Sequence, residues 1–170
     1  MSITFITSIV ISTIIGYILL TLAIAIHELA HARHLEKFGI FSTVTVGLGP
    51  ALFKRIGITF RLFPVDGICD HSMCTAEYKR MPKQQKRLNV FVANSCSALV
   101  GAAYIAIAYL IRGTYRNIPS LTSALLPPSI SFLITGVIVL LSVIANFTPL
   151  SIDGLQFWST PNFKHRRNKL

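Results

Sequence analysis

Two histidines four residues apart, with a glutamate directly after the first, are the residues of this chain best equipped for chemistry: His27-Glu28-Leu29-Ala30-His31. On a helix, positions i and i+4 lie one above the other on the same face. His27 and His31 can therefore each turn a ring nitrogen toward one metal ion. Zinc takes neutral imidazole at about 2.0–2.1 Å and, in catalytic sites, keeps one position open for water. Glu28 stands where a general base is needed, to take a proton from that water as it attacks a carbonyl. The competing reading is two core or interfacial histidines and a surface glutamate. It is weakened by the apolar stretch before the motif, because ionisable groups at the edge of a membrane span are costly and usually functional.

That stretch is the element that must position the motif. Residues 3–26 carry no charge and are rich in Ile, Leu, Val and Thr. At 1.5 Å per residue they exceed a hydrocarbon core of about 30 Å. A signal peptide would need a basic region ahead of the apolar run, and none is present. The expectation is a retained transmembrane helix over about 3–34, stopping near Gly39. His34 shares the motif's face, but seven residues rise about 10 Å, which excludes it from a shell built on His27 and His31. It reads as an interfacial or supporting group, and the third ligand must come from elsewhere.

Composition agrees with a membrane protein: 52% hydrophobic and 13% charged over 170 residues, enough for one domain, with mean hydropathy +0.62. The net charge of +10 would suit nucleic acid, but no aromatic residues interleave the basic run 79–87, which reads as a juxtamembrane stretch meeting anionic headgroups. Nucleic acid is therefore not an expected partner. Cys69, Cys74 and Cys96 form no disulfide framework and are read as reduced thiols.

Residues 41–70 are β-prone, broken by Gly47-Leu48-Gly49-Pro50 and turning at Ile56-Gly57, and read as a small cytoplasmic or interfacial β-hairpin whose edge could take an extended peptide. A second span follows at about 88–111, with Ala93, Ser97 and Gly101 forming a small-residue packing face. Asn89 and Asn94 are expected to bond to a neighbouring helix. A third span covers about 129–148, preceded by Pro127-Pro128. The fold class is thus an all-α polytopic membrane protein of three spans plus the hairpin, with a tail over 155–170.

The basic residues orient it. Lys37, Lys54, Arg55, Arg61, Lys79, Arg80, Lys83, Lys86 and Arg87 lie between spans one and two, and Lys164, Arg166, Arg167 and Lys169 lie in the tail, against only Arg112 and Arg116 on the other side. The N-terminus is expected outside, with the long loop and the C-terminus in the cytoplasm, and the expected membrane is the cell's inner or plasma membrane. This brings His27, His31 and Asp153 to one membrane face and makes Asp153 the best candidate for the missing ligand.

With these motifs in hand, the chain resembles the site-2 protease family of intramembrane zinc metalloproteases, over about residues 15–158. His27-Glu28-x-x-His31 matches the motif of that family's first core helix. Asn146-x-x-Pro149 followed by Asp153-Gly154 matches that of its third, with one residue fewer between Pro149 and Asp153 than the commonest form. Gly47-x-Gly49-Pro50 and Pro64-x-x-Gly67 match the elements between the first two helices. Where the family usually has A-G-P-x-x-N at the start of the second helix, this chain has Ala93-Asn94-Ser95-Cys96-Ser97-Ala98.

The resemblance implies a single metalloprotease core with Zn2+ on His27, His31 and Asp153. Glu28 would be the general base, and Asn146 would stabilise the oxyanion. The substrate would be a transmembrane segment of another protein, reached within the lipid bilayer, and gating would fall to lipid, a regulatory membrane partner or a homo-oligomer. The alternative is a non-proteolytic membrane scaffold that keeps the architecture and binds partners, against which an intact Glu28 argues. A metal transporter lacks further polar residues along a path.

Overall fold

The long uncharged run folds as expected into one helix. In the computed structural model, which describes residues 3–114, 119–149 and 151–158, helix α1 spans Ile3–Glu36. Arg116, Leu150 and the tail bases Lys164, Arg166, Arg167 and Lys169 lie outside the described residues. The chain continues as strands β1 (Thr43–Arg55) and β2 (Ile58–Asp70), then helices α2 (Thr75–Arg80), α3 (Lys83–Thr114), α4 (Pro119–Asn146) and α5 (Ile152–Trp158). The structure is mostly helical, with a two-stranded antiparallel hairpin between the first two long helices. Among the described residues, three helices are long and apolar enough to cross a membrane: Ile6–Glu36, Lys83–Gly113 and Pro127–Asn146.

Their outward faces stay apolar. Ile14, Ile18 and Leu22 on α1, and Ile134, Leu141 and Ile144 on α4, are exposed. Inward, Leu19 and Ala23 of α1 meet Tyr104 of α3 and Val139 of α4. The Tyr104 hydroxyl donates to the Leu19 carbonyl at 3.1 Å, so this buried phenol keeps a partner. The small-residue face of α3 is put to two uses. Gly101 lies against Gly136 and Leu140 of α4, where a Cβ on Gly136 would come within 2.8 Å of the Gly101 carbonyl oxygen. Ser97, one turn earlier, faces α1 instead.

The third long helix begins earlier than expected. Pro127 and Pro128 lie inside α4 rather than ahead of it. Proline lacks a ladder N–H and frees a carbonyl one turn back. Around this point hydroxyls take up backbone acceptors: Ser131 Oγ donates to Pro127 O (3.0 Å), Ser12 Oγ to the same carbonyl (3.2 Å). The end of α4 also comes slightly early, at Asn146, where Phe147 N and Thr148 N bond to carbonyls three residues back.

The hairpin folds back along α1 rather than extending beyond its end. Val44 and Val46 pack on Ala25, with Ile24, Leu29 and Ala32 beside them. The Tyr17 hydroxyl donates to the Leu62 carbonyl at 2.8 Å, and Tyr17 lies roughly 28 Å along the helix from Glu36 at 1.5 Å per residue. Neither strand is straight. The start of β1 pairs on one edge with the end of β2 (Thr43↔Asp70, Val46↔Gly67) and on the other meets the start of β2 (Val44↔Ile58, Val46↔Phe60). The bend in β1 falls at Gly47, which has φ +90°, and a Cβ there would lie 2.7 Å from the Phe63 carbonyl oxygen. Only glycine fits that turn. The folded ribbon carries residues 65–69 to the flank of the H-E-x-x-H helix.

Candidate metal centre

Helical spacing sets the first half of the site. His27 and His31 stack one turn apart, ring centroids 4.8 Å from each other, with their Nε2 atoms 3.2 Å apart. The second half arrives from the far end of the chain. Asp153 Oδ2 lies 3.1 Å from His27 Nε2 and 3.3 Å from His31 Nε2. These three atoms form a nearly equilateral triangle. A neutral imidazole carries one N–H, so this triangle cannot be satisfied as three hydrogen bonds. It is, however, the edge length of a tetrahedral metal shell: ligands about 2.0–2.1 Å from a zinc-sized ion lie about 3.3 Å from one another. Among the described residues, His27, His31 and Asp153 form a group that could hold a metal ion.

Asp153 is brought there by a short, firmly seated helix. Ser151 caps α5, its Oγ accepting the Gly154 N–H at 2.8 Å. Gly154 is pressed on the end of α4 so closely that a Cβ would run into the Thr148 carbonyl. The Trp158 indole N–H donates to the Phe147 carbonyl, and the Tyr78 hydroxyl of α2 donates to Gln156 Oε1 at 3.1 Å. Burial pushes the Asp153 carboxyl up, but the hydrogen bonds and charges of His27 and His31 outweigh it and hold it well below the usual carboxylate range. Asp153 is therefore ionised, the form a cation requires.

Glu28 is buried and opens on the same cavity, of about 570 Å³, as His27, His31, Asn146 and Asp153. Its other side is closed by β2. A Cβ on Gly67 would lie 2.6 Å from Glu28 Cγ and 2.7 Å from Oε1, so the strand backbone sits directly on the carboxylate. Cys69 forms the next part of this wall, and burial pushes its thiol up to about 11, which leaves it uncharged at neutral pH. Asn146, the last residue of α4, donates from Nδ2 to Asn94 Oδ1 of α3 at 3.2 Å. Asn94 thus bonds across helices as expected. Asn89 is buried in the cavity wall, and its Oδ1 has no hydrogen-bond partner among the described residues. His34 is buried against Phe38 and does not line the cavity.

Two contributors carry roles at the site other than those the sequence suggests. Ser97, read as a packing residue, lies with Oγ 2.9 Å from His27 Nδ1. Gly67, matched only as part of Pro64-x-x-Gly67 between the first two helices, is the contact surface for Glu28. The signal for Ser97 was a hydroxyl on an otherwise small, apolar packing face. For Gly67 no local signal existed, because its role depends on where the ribbon docks. Comparison with protein-family models, with curated proteins and with solved structures finds no match to this chain.

Proposed function

We propose that this chain is a zinc-dependent intramembrane protease that hydrolyses peptide bonds in or near transmembrane segments of other membrane proteins. The observation that carries the reading is the triangle of His27, His31 and Asp153 atoms with the Glu28 carboxylate opening on the same cavity. Two imidazoles and a carboxylate suit zinc by ligand type and leave one position for water or substrate. A zinc ion held there supplies Lewis acidity, polarising a carbonyl and acidifying a water.

The remaining work falls to the chain. Glu28 takes the proton of the attacking water and returns it to the leaving nitrogen. Asn146 has two amide hydrogens. Asn94 fixes one, leaving the other to meet the oxygen on which negative charge develops. Residues 65–69 of β2 line the cavity, and in the register the end of β2 pairs with β1 on one edge only. An extended peptide laid on the other edge would have its amide groups bonded by backbone beside Glu28, which favours an unwound segment over a helical one. Charge distribution favours cytoplasmic placement of the loop bases, hence a multi-pass protein with its N-terminus outside.

The test is metal content of the detergent-purified protein together with cleavage of a panel of single-span fusion proteins. About one zinc per chain is expected in the wild type, with loss in His27→Ala and Asp153→Asn. Glu28→Gln is expected to keep the metal and lower cleavage by about 10²–10⁴-fold. Wild-type protein without bound metal sinks the proposal. Metal with no cleavage of any fusion points instead to a scaffold that binds membrane partners.

A further inference from the structure

We infer that Ser97 is a positioning residue for the metal: its hydroxyl holds His27 in the Nδ1-protonated tautomer, so that Nε2 presents a lone pair to the ion. The inference rests on the metal-site reading above and goes beyond it, since it assigns a role in metal affinity to a side chain of α3.

The geometry carries it. His27 uses both ring nitrogens: Nε2 faces His31 and Asp153, and Nδ1 lies 2.9 Å from Ser97 Oγ. A neutral imidazole places its single proton on one nitrogen or the other. With the proton on Nε2, an N–H would project into the triangle and bar a metal. With the proton on Nδ1, that N–H needs an acceptor, and Ser97 Oγ is within hydrogen-bonding distance of it. An outer partner of this kind fixes both the tautomer and the ring plane of a metal-binding histidine.

Serine also suits the place by size and charge. Ser97 is 5% exposed, and it sits between Ala93 and Gly101 on the face where α3 approaches its neighbours. A larger acceptor would force α3 away from α1. A carboxylate acceptor would add a third negative charge to a site where Glu28 and Asp153 already match a divalent ion. A hydroxyl accepts a proton without either cost. The segment that departs from the site-2 protease pattern, residues 93–98, thereby supplies this chain's own support for the metal, through Ser97 on His27.

The experiment is competition of the detergent-purified protein against a chelator for Co2+ and Zn2+, with wild type, Ser97→Ala and Ser97→Thr compared at one pH. Thermal unfolding of the metal-free proteins is followed alongside. Ser97→Ala is expected to bind metal ~10–100-fold more weakly, with the metal-free midpoint unchanged, and Ser97→Thr to recover most of the affinity. Where the added methyl of threonine disturbs packing, ¹⁵N shifts of labelled His27 give the answer in the wild type: Nδ1 protonated and Nε2 metal-bound. Ser97→Ala binding as tightly as wild type, or His27 bound through Nδ1, overturns the inference. A drop in Ser97→Ala affinity that only tracks lost metal-free stability overturns it too. Wild type that binds no metal overturns the site reading itself, and is told apart by failing before any variant is compared.

Discussion

The two halves of the candidate metal site are held in opposite ways. His27 and His31 stand on one uninterrupted helix, and their separation follows from its pitch. That pitch puts both side chains on one face, where their Nε2 atoms lie 3.2 Å apart, with Ser97 of α3 alone reaching in, to His27 Nδ1. Asp153 depends on nearly everything else: the stop of α4 at Asn146, the Ser151 cap, the glycine that seats α5, and contacts from Phe147 and Tyr78. A local pair survives loose packing, whereas a ligand delivered from over a hundred residues away in sequence reports on the whole bundle. The strand over Glu28 belongs to the second class, since it too is held by docking.

Gly154 offers the hardest test of that contrast. Its α-carbon is so near the Thr148 carbonyl that alanine must lift α5 from the end of α4. Gly154→Ala should leave α1, α3 and α4 in place and weaken metal binding by ~100-fold or more, as expected when a ligand is displaced rather than a supporting group. Metal titration beside far-ultraviolet circular dichroism checks this. Unchanged affinity would mean that the histidine pair holds the ion without Asp153.

Gly67→Ala separates binding from chemistry. The added methyl would meet Glu28 Cγ and Oε1 and Ile24 Cγ2, each within 2.7 Å, and none of the three ligands is among these nearest neighbours. Metal content should be preserved, and cleavage should fall about 10²-fold, as expected when a general base is displaced. Together the two glycines should divide the site: one substitution removes the metal, the other leaves the metal and removes the base. If Gly67→Ala also loses metal, the hairpin is part of the delivered half of the shell.

The same contrast governs what was legible in the sequence. The histidine pair and Glu28 were legible because helical periodicity is local and α1 runs unbroken through them. Asp153 was reached indirectly, by counting bases on either side of the spans, and the structure does bring it to the pair. The hairpin's extent was readable from its glycines and prolines, but its double pairing was not, because Val44 chooses Cys69 and Ile58 through docking on α1. Ser97 was read as packing for a physical reason. A serine in a helix ordinarily bonds its own backbone, and only the rotation of α3 about its axis decides that this one meets His27. Pro127-Pro128 in the sequence suggest a helix boundary, but α4 runs through them, and Ser12 and Ser131, which engage Pro127 O there, come from two different helices.

The smallest expected effect probes the outermost support of the delivered half. Tyr78 donates to Gln156 on α5, three residues beyond Asp153 and on its helix. Removing one such partly buried bond costs about 0.5–1.5 kcal/mol, which corresponds to roughly two- to tenfold in the equilibrium that seats α5. Tyr78→Phe keeps the ring beside His71, 3.9 Å between centroids, and so isolates the hydroxyl. Metal affinity should fall by that factor in chelator competition, with the dissociation rate rising. A null result would confine the positioning of Asp153 to Ser151, Gly154 and Trp158, and a loss as large as that of Gly154→Ala would make α2 as necessary to the site as the end of α4.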